Sequence, residues 1–449
     1  MDFIGTRALA KALICPRCQS RRVRWNDEAD IPECTQCAWK ATRFGEALDL
    51  LVTDGSRSNE PRSTNRKWSQ ISERISARLG FSPNMADELT TQLSYQIPST
   101  GNPGLDAEED IFVERFGILN EAIDIQFEVV FCPQSATPGQ TFWVSARLKN
   151  RGPFPITSEG PNPVLLSYHW YDERGQVAVY DGRRTALPMT LAADSAITLP
   201  ILVEGPTRLG RYCLRILPVK ELVRWIDECH FDIRVEIGDS VRIVQTPVRS
   251  EEQLGPFSET ADNELATQFI DQALRGEAGP IRACEIGGGI RPAFLEAYKA
   301  IDNLDFFLNA DISLRLLQVG RLILRGKQMA ADRSVYARAD ANKLPLQRGS
   351  IDVVVFSRAL HHFVHPDRTL AEVARVLRPG GHLFLVCEPV ASVYDEHTLD
   401  LMRRGVNEQV FPDGFYSAIA ESAGLIPQTT TLDWGFSFKG SFRSVGRQQ

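Results

Sequence analysis

The chain lacks any run of about eighteen apolar residues, the length that a transmembrane helix requires. Its first residues, MDFIGTRALAKALICPRC, have too short an apolar stretch and no small-residue cleavage pattern for a signal peptide. Basic residues are outnumbered by acidic ones, 50 against 57, and the net charge of -7 gives no general attraction to polyanions. We therefore expect no membrane span, and the composition disfavours nucleic acid as a partner.

The number and spacing of the cysteines also argue against a disulfide framework. Nine cysteines are an odd count, and four of them form two CxxC pairs, which is typical of a protein from a reducing compartment. We expect a cytoplasmic location. The pairs, Cys15 with Cys18 and Cys34 with Cys37, have the spacing C-x2-C-x15-C-x2-C, which suits four thiolates around one structural Zn²⁺. A small zinc ribbon over residues 1–53 is predicted.

Three further stretches follow in a chain of 449 residues, which is too long for one ordinary core. Residues 54–113 are predicted to be a polar linker with short helices, one of them from Trp68. Residues 114–240 show the period-two alternation of strands, as in FWVSARLK, and predict an antiparallel β-sandwich. Residues 259–449 alternate strand and helix patterns and predict a doubly wound α/β domain. The chain is therefore predicted to be multidomain.

The segment ACEIGGGIRP places three glycines, Gly287 to Gly289, between an apolar strand and a helix whose first turn accepts Pro292. Without side chains, such a loop lets a ligand approach the backbone and the N-H groups of the helix. Asp311 ends the next predicted strand, where a carboxylate can hold the hydroxyls of a ribose. A nicotinamide-binding Rossmann domain also requires this arrangement, so these residues alone leave the cofactor open.

The choice of cofactor is narrowed by five motifs that follow one another along the chain: EIGGG, NADIS, ARADANKLPL, SIDVVVFSRALHH and VLRPGGHLFLVCEP. Together they resemble the class I S-adenosylmethionine-dependent methyltransferases over residues 265–449, which implies a Rossmann-like fold and that cofactor. One position departs from the family, because Arg291 replaces the usual third glycine of the loop. The resemblance implies these contacts: the cofactor's amino-acid end with Glu285, Gly287 and Gly289; the ribose with Asp311; the adenine with Asp340 and Ala341; the methionine moiety with Ser357 and Arg358.

Three histidines follow the fourth predicted strand of this domain. His361, His362 and His365 lie where the loop would face a methyl acceptor. If the acceptor is a hydroxyl, a base must take its proton, and imidazole is the commonest base. They are therefore candidate catalytic residues. The alternative is that they have no base role, as in relatives that carry histidines in this loop.

The middle stretch has a resemblance of its own, carried by VSARLKNRG, LLSYHWYDERG, DGRRTALP, GRYCLRI and VRWIDE. It is similar to the immunoglobulin-like sandwiches of bacterial glycan-assembly proteins, including the carbohydrate-binding end of O-antigen exporters. This implies glycan-assembly proteins as partners and a glycan or sugar-linked substrate. Exposed aromatics would suit stacking on sugar, whereas the alternative is that most of them are core residues of the sandwich. The candidates are Trp143, Tyr168, Trp170 and Trp225.

These resemblances favour a methyltransferase that acts on a sugar or glycan-linked acceptor in polysaccharide or glycoconjugate biosynthesis. A second hypothesis is RNA methylation, because the ribbon with its trailing LDLL resembles modules attached to or partnering rRNA and tRNA methyltransferases. The acidic balance argues against it. A third is a non-catalytic cofactor-binding module. Arg291 is the only hint of it, and the intact Asp311 and Asp340 oppose it.

Overall fold

A computed structural model describes residues 4–44, 47–51, 123–160, 163–221, 223–238, 246–275, 277, 279–290, 292–294, 303–326 and 333–445. The predicted linker over 54–113, its helix from Trp68, and Arg291 lie outside these ranges. Two compact units are present. The α/β unit contains the described residues up to 51 with those of Thr246–Pro389 and from Tyr416 onward, and the β-rich unit contains those of 123–238 with Val390–Phe415.

The N-terminal part of the α/β unit is small and contains one helix and four short strands among its described residues. A β-hairpin carries Cys34 at its end, and Val23 pairs with Cys34 across it. The elements are helix α1 (Ile4–Ala12) and strands β1 (Val23–Asn26), β2 (Ile31–Cys34), β3 (Thr42–Phe44) and β4 (Ala47–Asp49).

The β-rich unit has two sheets that share one apolar core. The strand order is β10-β8-β12-β14-β6 in one sheet, with β9 beside β8 and β13 beside β12, and β11-β7-β5 in the other. Neighbouring strands are antiparallel except β6 and β14. The strands are β5 (Ile125–Phe131), β6 (Ser135–Ala136), β7 (Thr141–Asn150), β8 (Val164–Asp172), β9 (Val177–Val179), β10 (Thr185–Ala186), β11 (Ala196–Glu204), β12 (Gly210–Lys220), β13 (Arg224–Trp225) and β14 (Phe231–Ile237).

Alternation along β8 decides which aromatics are buried. Tyr168 and Trp170 point into the shared core and are 2% and 0% exposed. The indole N-H of Trp170 donates to the carbonyl of Glu204 at 2.9 Å. Tyr168 and Trp170 are therefore core residues, which was the alternative to sugar stacking, because successive side chains of a strand alternate between its faces. Trp143 and Trp225 are half-buried.

The remaining elements include both strands and helices. They are β15 (Val248–Arg249), α2 (Glu251–Leu254), α3 (Glu259–Leu274), β16 (Ile281–Ile286), β17 (Leu304–Asp311), α4 (Leu314–Gly326), β18 (Ser334–Arg338), β19 (Ile351–Ser357), a 3₁₀ turn (Leu360–His362), α5 (Pro366–Val376), β20 (Leu377–Pro389), α6 (Glu396–Arg403), α7 (Phe415–Ser422), β21 (Leu425–Asp433) and β22 (Ser437–Ser444). No helix in the described part of the chain is long and apolar enough to cross a bilayer.

One ten-stranded sheet organises the α/β unit, in the order β15-β21-β22-β20-β19-β16-β17-β18-β4-β3. Strands β16 to β20 are parallel, whereas β22 is antiparallel to both of its neighbours, β20 and β21. A short turn joins β21 to β22, as the antiparallel arrangement of those two strands allows. At the other edge, β4 pairs in parallel with β18. Strand β4 lies within the predicted ribbon of residues 1–53, yet it extends the large sheet.

The segment Val390–Phe415 interrupts the predicted 259–449 domain and belongs to the β-rich unit. The hydroxyl of Thr198 on β11 donates to Oε1 of Gln409 at 2.6 Å. The hydroxyl of Tyr394 donates to the carbonyl of Thr198 at 2.5 Å. Residues about two hundred positions apart in sequence thus belong to one unit. A domain prediction made of one continuous range of residues could not include this segment in the β-rich unit.

Candidate functional site

The three glycines follow β16 at the point where the sheet order reverses, between β19 on one side and β17 on the other. Gly287 has a φ of 73°, and a Cβ on it would lie 2.8 Å from the Cβ of Ala359. A Cβ on Gly288 would lie 2.6 Å from Oδ1 of Asn309. The loop is therefore packed tightly against its neighbours, and only glycine satisfies both positions. Its location is where ligands bind in open α/β sheets.

Glu285 holds the polypeptide that leaves the glycine loop. Its side chain is fully buried, and its two carboxylate oxygens accept hydrogen bonds from the backbone N-H groups of Ala293 and Phe294, both at 2.8 Å. A carboxylate is favourable at a helix N-terminus because it meets unpaired donors and the positive end of the dipole. Glu285 therefore fixes the direction of the chain after the loop.

Asp311, at the end of β17, faces the same loop. Its Oδ2 accepts from the N-H of Gly289 at 3.2 Å and its Oδ1 from the N-H of Ser313 at 2.8 Å. Burial raises the pKa of this carboxyl above its usual value, although both N-H groups oppose the rise. The carboxylate therefore lies beside the glycine backbone, as the sequence predicted.

Asn309, two residues earlier on β17, escaped the sequence analysis. It is fully buried, and its amide donates to the carbonyl of Gly289 at 3.2 Å. The signal for it was available, because FFLNADIS contains one amide side chain inside an otherwise apolar strand. Buried polar groups need partners, and here the partner is the loop.

Asp340 and Ala341 follow the next strand, β18. The N-H of Ala339 donates to the carbonyl of Asp311 at 3.1 Å, so the ends of β17 and β18 are joined. Ala341 is buried, whereas Asp340 is exposed and its Oδ1 accepts from the N-H of Asn342 at 2.9 Å. The structure thus places the predicted adenine residues at the same edge of the sheet as Asp311.

Ser357 ends β19, and Arg358 follows it. Arg358 has a φ of 48°, and its guanidinium donates to Asn263 at 2.5 Å and forms an ion pair with Asp262, both on α3. The Asp262 carboxylate also accepts from Nζ of the buried Lys439 at 2.6 Å. The Arg358 side chain is therefore fixed by a buried charge network.

His361 is held by a carboxylate that the sequence analysis did not identify. Its Nδ1 lies 2.8 Å from Oε2 of Glu388, and both side chains are buried. Glu388 also accepts the N-H groups of Ala359 at 2.8 Å, Leu360 at 2.9 Å and His361 at 3.2 Å. Burial alone would raise the pKa of Glu388, but His361 and these donors hold it below its usual value.

The other two histidines differ from His361 in their surroundings. His362 is exposed, and its ring centroid lies 4.0 Å from that of His361. His365 precedes α5, and its carbonyl accepts from the N-H of Thr369 at 3.0 Å. The pairing with the buried Glu388 thus belongs to His361.

The four predicted metal ligands also come together. Sγ atoms lie 3.5 Å apart for Cys15 and Cys37, and 3.7 Å apart for Cys18 and Cys34. All four lie within 4.8 Å of one another. Four thiolates at the usual Zn-S distance of about 2.3 Å would be separated by about 3.8 Å in a tetrahedron. The cluster therefore fits one Zn²⁺.

Comparison with known proteins agrees with this site. Residues 285–385 match the profile of the family described as "Methyltransferase domain". The ubiquinone/menaquinone biosynthesis C-methyltransferase of Vibrio parahaemolyticus is 30% identical over 159 residues, which cover 34% of this chain and 61% of that protein. The enzyme of the same description from Pectobacterium carotovorum is 28% identical over 177 residues, 37% of this chain and 70% of that protein.

Solved structures are similar at lower identity. The YcgJ protein of Bacillus subtilis is 22% identical with a TM-score of 0.32, covering 37% of this chain and 70% of that one. A geranyl diphosphate methyltransferase is 14% identical with a TM-score of 0.35, covering 45% and 88%. The family match and the curated relatives identify a class I S-adenosylmethionine-dependent methyltransferase domain at the C-terminal side of the chain. The aligned part spans less than two thirds of the Vibrio relative.

Proposed function

We propose that this protein transfers a methyl group from S-adenosylmethionine to a sugar or glycan-linked acceptor in polysaccharide or glycoconjugate biosynthesis. The observation that carries methyl transfer is the glycine loop beside Asp311. Gly289 offers its backbone next to a carboxylate at 3.2 Å, and the neighbouring glycines leave no room for side chains. This combination suits a nucleoside whose ribose is held by Asp311 while its other end lies over the loop.

The residues present fit this cofactor, which supplies a methyl group already activated on a sulfonium. Gly287 and Gly289 would line its amino-acid end, and Asp340 with Ala341 would border the adenine. Glu285 and Asn309 hold the loop in place and need not touch the cofactor. Most of the rate then depends on holding the acceptor in line with the transferred group, which is a task of orientation.

His361 is the candidate that best fits a proton acceptor. Its Nδ1 is engaged by Glu388, so a proton from an acceptor hydroxyl would pass to Nε2. A carboxylate on the opposite nitrogen fixes the tautomer and stabilises the charged imidazolium that results. We propose no proton transfer for His362, which is exposed, or for His365, which precedes α5.

The acceptor class is supported by the sequence motifs of the β-rich unit, which resemble the sandwiches of glycan-assembly proteins. RNA methylation has less support. That hypothesis depended on the four-cysteine ribbon with its trailing LDLL, and the excess of acidic over basic residues argues against it. A second candidate is methylation of carbon, because the curated relatives are named C-methyltransferases of ubiquinone and menaquinone biosynthesis.

Two measurements test the proposal. Calorimetric titration of the purified protein with S-adenosylmethionine is expected to show binding, and its absence would refute the cofactor assignment. Mass spectrometry of glycans from a strain lacking the protein is expected to show the loss of one CH₂ per modified site. Unchanged glycans together with an altered quinone would favour carbon methylation, and binding without any methylated product would favour a non-catalytic module.

A further inference from the structure

The outer face of one sheet in the β-rich unit carries a cluster of aromatic and charged side chains. Along β8, Tyr168 and Trp170 point into the core, so His169 between them points to the opposite face. His169 is nevertheless only 1% exposed, and the rings of Tyr180 and Trp225 lie against it. We name this group the Tyr180 platform. It consists of His169, Tyr180, Asp181, Arg184, Glu221 and Trp225.

Three rings form the centre of the Tyr180 platform. The Tyr180 ring stacks on the His169 ring with centroids 4.5 Å apart and an interplanar angle of 8°. The centroid of the Trp225 ring lies 4.3 Å from that of the His169 ring and 5.8 Å from that of the Tyr180 ring. Tyr180 is 55% exposed even though one of its faces is covered by this stacking. The other face is thus presented to solvent on a ring whose orientation is fixed from below.

Charged, planar groups border the rings. The Arg184 guanidinium donates to Oδ1 of Asp181 at 2.5 Å and to Oγ of Ser167 at 3.0 Å, and it also pairs with Glu221. It lies 4.9 Å from the centroid of Trp225. The Asp181 side chain is 65% exposed, so its carboxylate remains accessible beside Tyr180. One guanidinium and two carboxylates give this border a net negative charge.

A buried polar atom lies beneath the exposed ring. Nδ1 of His169 has no hydrogen-bond partner among the described residues. Such atoms are rare in folded proteins and usually have water or a ligand as their partner. Because this atom is covered by the Tyr180 ring, the groups that a ligand can reach are the exposed aromatic face and the hydrogen-bonding groups at its border.

We propose that the Tyr180 platform binds a neutral saccharide. An exposed aromatic face packs against the apolar C-H face of a pyranose ring, and planar carboxylate and guanidinium groups bind its hydroxyls in fixed directions. The net negative border disfavours uronic acids and other anionic sugars. This inference deepens the proposed function, on which its biological meaning rests, because it gives the β-rich unit the task of holding the glycan.

The test uses the full chain without S-adenosylmethionine. Saturation-transfer NMR is carried out with methyl glycosides of mannose, galactose, rhamnose and N-acetylglucosamine, and with glucuronic acid as the anionic probe. We expect at least one neutral glycoside to bind and glucuronic acid not to bind. Absence of binding by every neutral probe, or equal binding of the uronate, would overturn the proposal.

Variants locate the site. Tyr180→Ala is expected to weaken binding by about tenfold through the lost ring contact, whereas Tyr180→Phe keeps the ring and retains affinity. Val177→Ala, a nearby residue that is 52% exposed, is the matched control and should bind like the parent. Binding by Tyr180→Ala at parental affinity would rule out the platform. Titrating each variant with S-adenosylmethionine separates the two proposals, because cofactor binding without saccharide binding refutes only this one.

Discussion

Two carboxylates at the same edge of the α/β sheet have different tasks. Asp311 accepts two backbone N-H groups and faces the glycine loop, whereas Glu388 accepts three and holds His361 as well. The first was predictable because it ends a strand at the usual distance from a glycine loop. The second was not, because its partners lie 27 to 29 residues away in sequence and only the pairing of β19 with β20 brings them together.

Replacing Asp311 by Ala should weaken the binding of S-adenosylmethionine. The lost interaction is a hydrogen bond to a charged group, worth about 1.5 to 3 kcal/mol, or about ten- to a hundredfold in affinity. Calorimetric titration measures this. Asp305→Ala, at the opposite end of the same strand, is the control and should bind like the parent. If Asp311→Ala bound as tightly as the parent, the ribose assignment would be lost.

Glu388 should make the stability of the α/β unit sensitive to acid. Its pKa in the folded protein is lowered from 4.5, so its contribution is fully present above that value and is lost as the pH falls through the folded pKa. Urea unfolding between about pH 7 and about pH 3 measures the free energy of unfolding.

The matched variant is Glu388→Gln, which keeps the shape and removes the charge. We expect it to be less stable than the parent at neutral pH by about 1.5 to 3 kcal/mol, with a smaller loss on acidification. The assignment would fail if parent and variant lost stability in parallel over the whole acidic range.

At the scale of elements, the four-cysteine segment supports the loop that carries Asp340. The carboxylate of Asp49 pairs with Arg338, and the N-H of Leu50 donates to the carbonyl of Arg338 at 3.0 Å. Beyond the loop, the N-H of Ile14 donates to the carbonyl of Pro345 at 2.9 Å. Both ends of the loop are thus attached to the N-terminal segment, and one of these attachments adjoins Cys15.

If the four cysteines hold Zn²⁺, its loss should weaken cofactor binding as well as unfold the N-terminal segment. We expect zinc by metal analysis of the parent, and a severalfold lower affinity for S-adenosylmethionine in Cys34→Ser or after chelation. Asp49→Asn should keep the zinc and show a smaller decrease in affinity for S-adenosylmethionine. A ribbon that folded apart from the sheet predicts unchanged affinity in both variants, and that result would contradict the coupling.

At the scale of the whole molecule, the β-rich unit is completed by a segment from the middle of the methyltransferase sequence. Tyr394→Phe removes the donor to Thr198 and should lower the free energy of unfolding by about 1 to 3 kcal/mol, because a buried carbonyl loses its partner. Tyr180→Phe, in the same unit but exposed, should change it little. Thermal unfolding of both variants tests this, and equal stabilities would show that the segment contributes no such bond.

The sequence alone determined what depends on local spacing. Two CxxC pairs, three glycines after a strand and a carboxylate at the end of the next strand each follow from a few neighbouring residues, because ligand geometry and backbone conformation act at short range. Alternating strand and helix patterns likewise predicted the Rossmann-like domain. The period of two in the middle stretch predicted its strands.

Only the tertiary structure decided how distant segments share sheets and cores. It joined β4 to β18, assigned Val390–Phe415 to the β-rich unit, paired His361 with Glu388, and buried Tyr168 and Trp170 while leaving Tyr180 exposed. Each outcome depends on strand register or on a partner far away in sequence. A one-residue change of register turns a side chain from the core to the solvent, and local composition does not encode that choice.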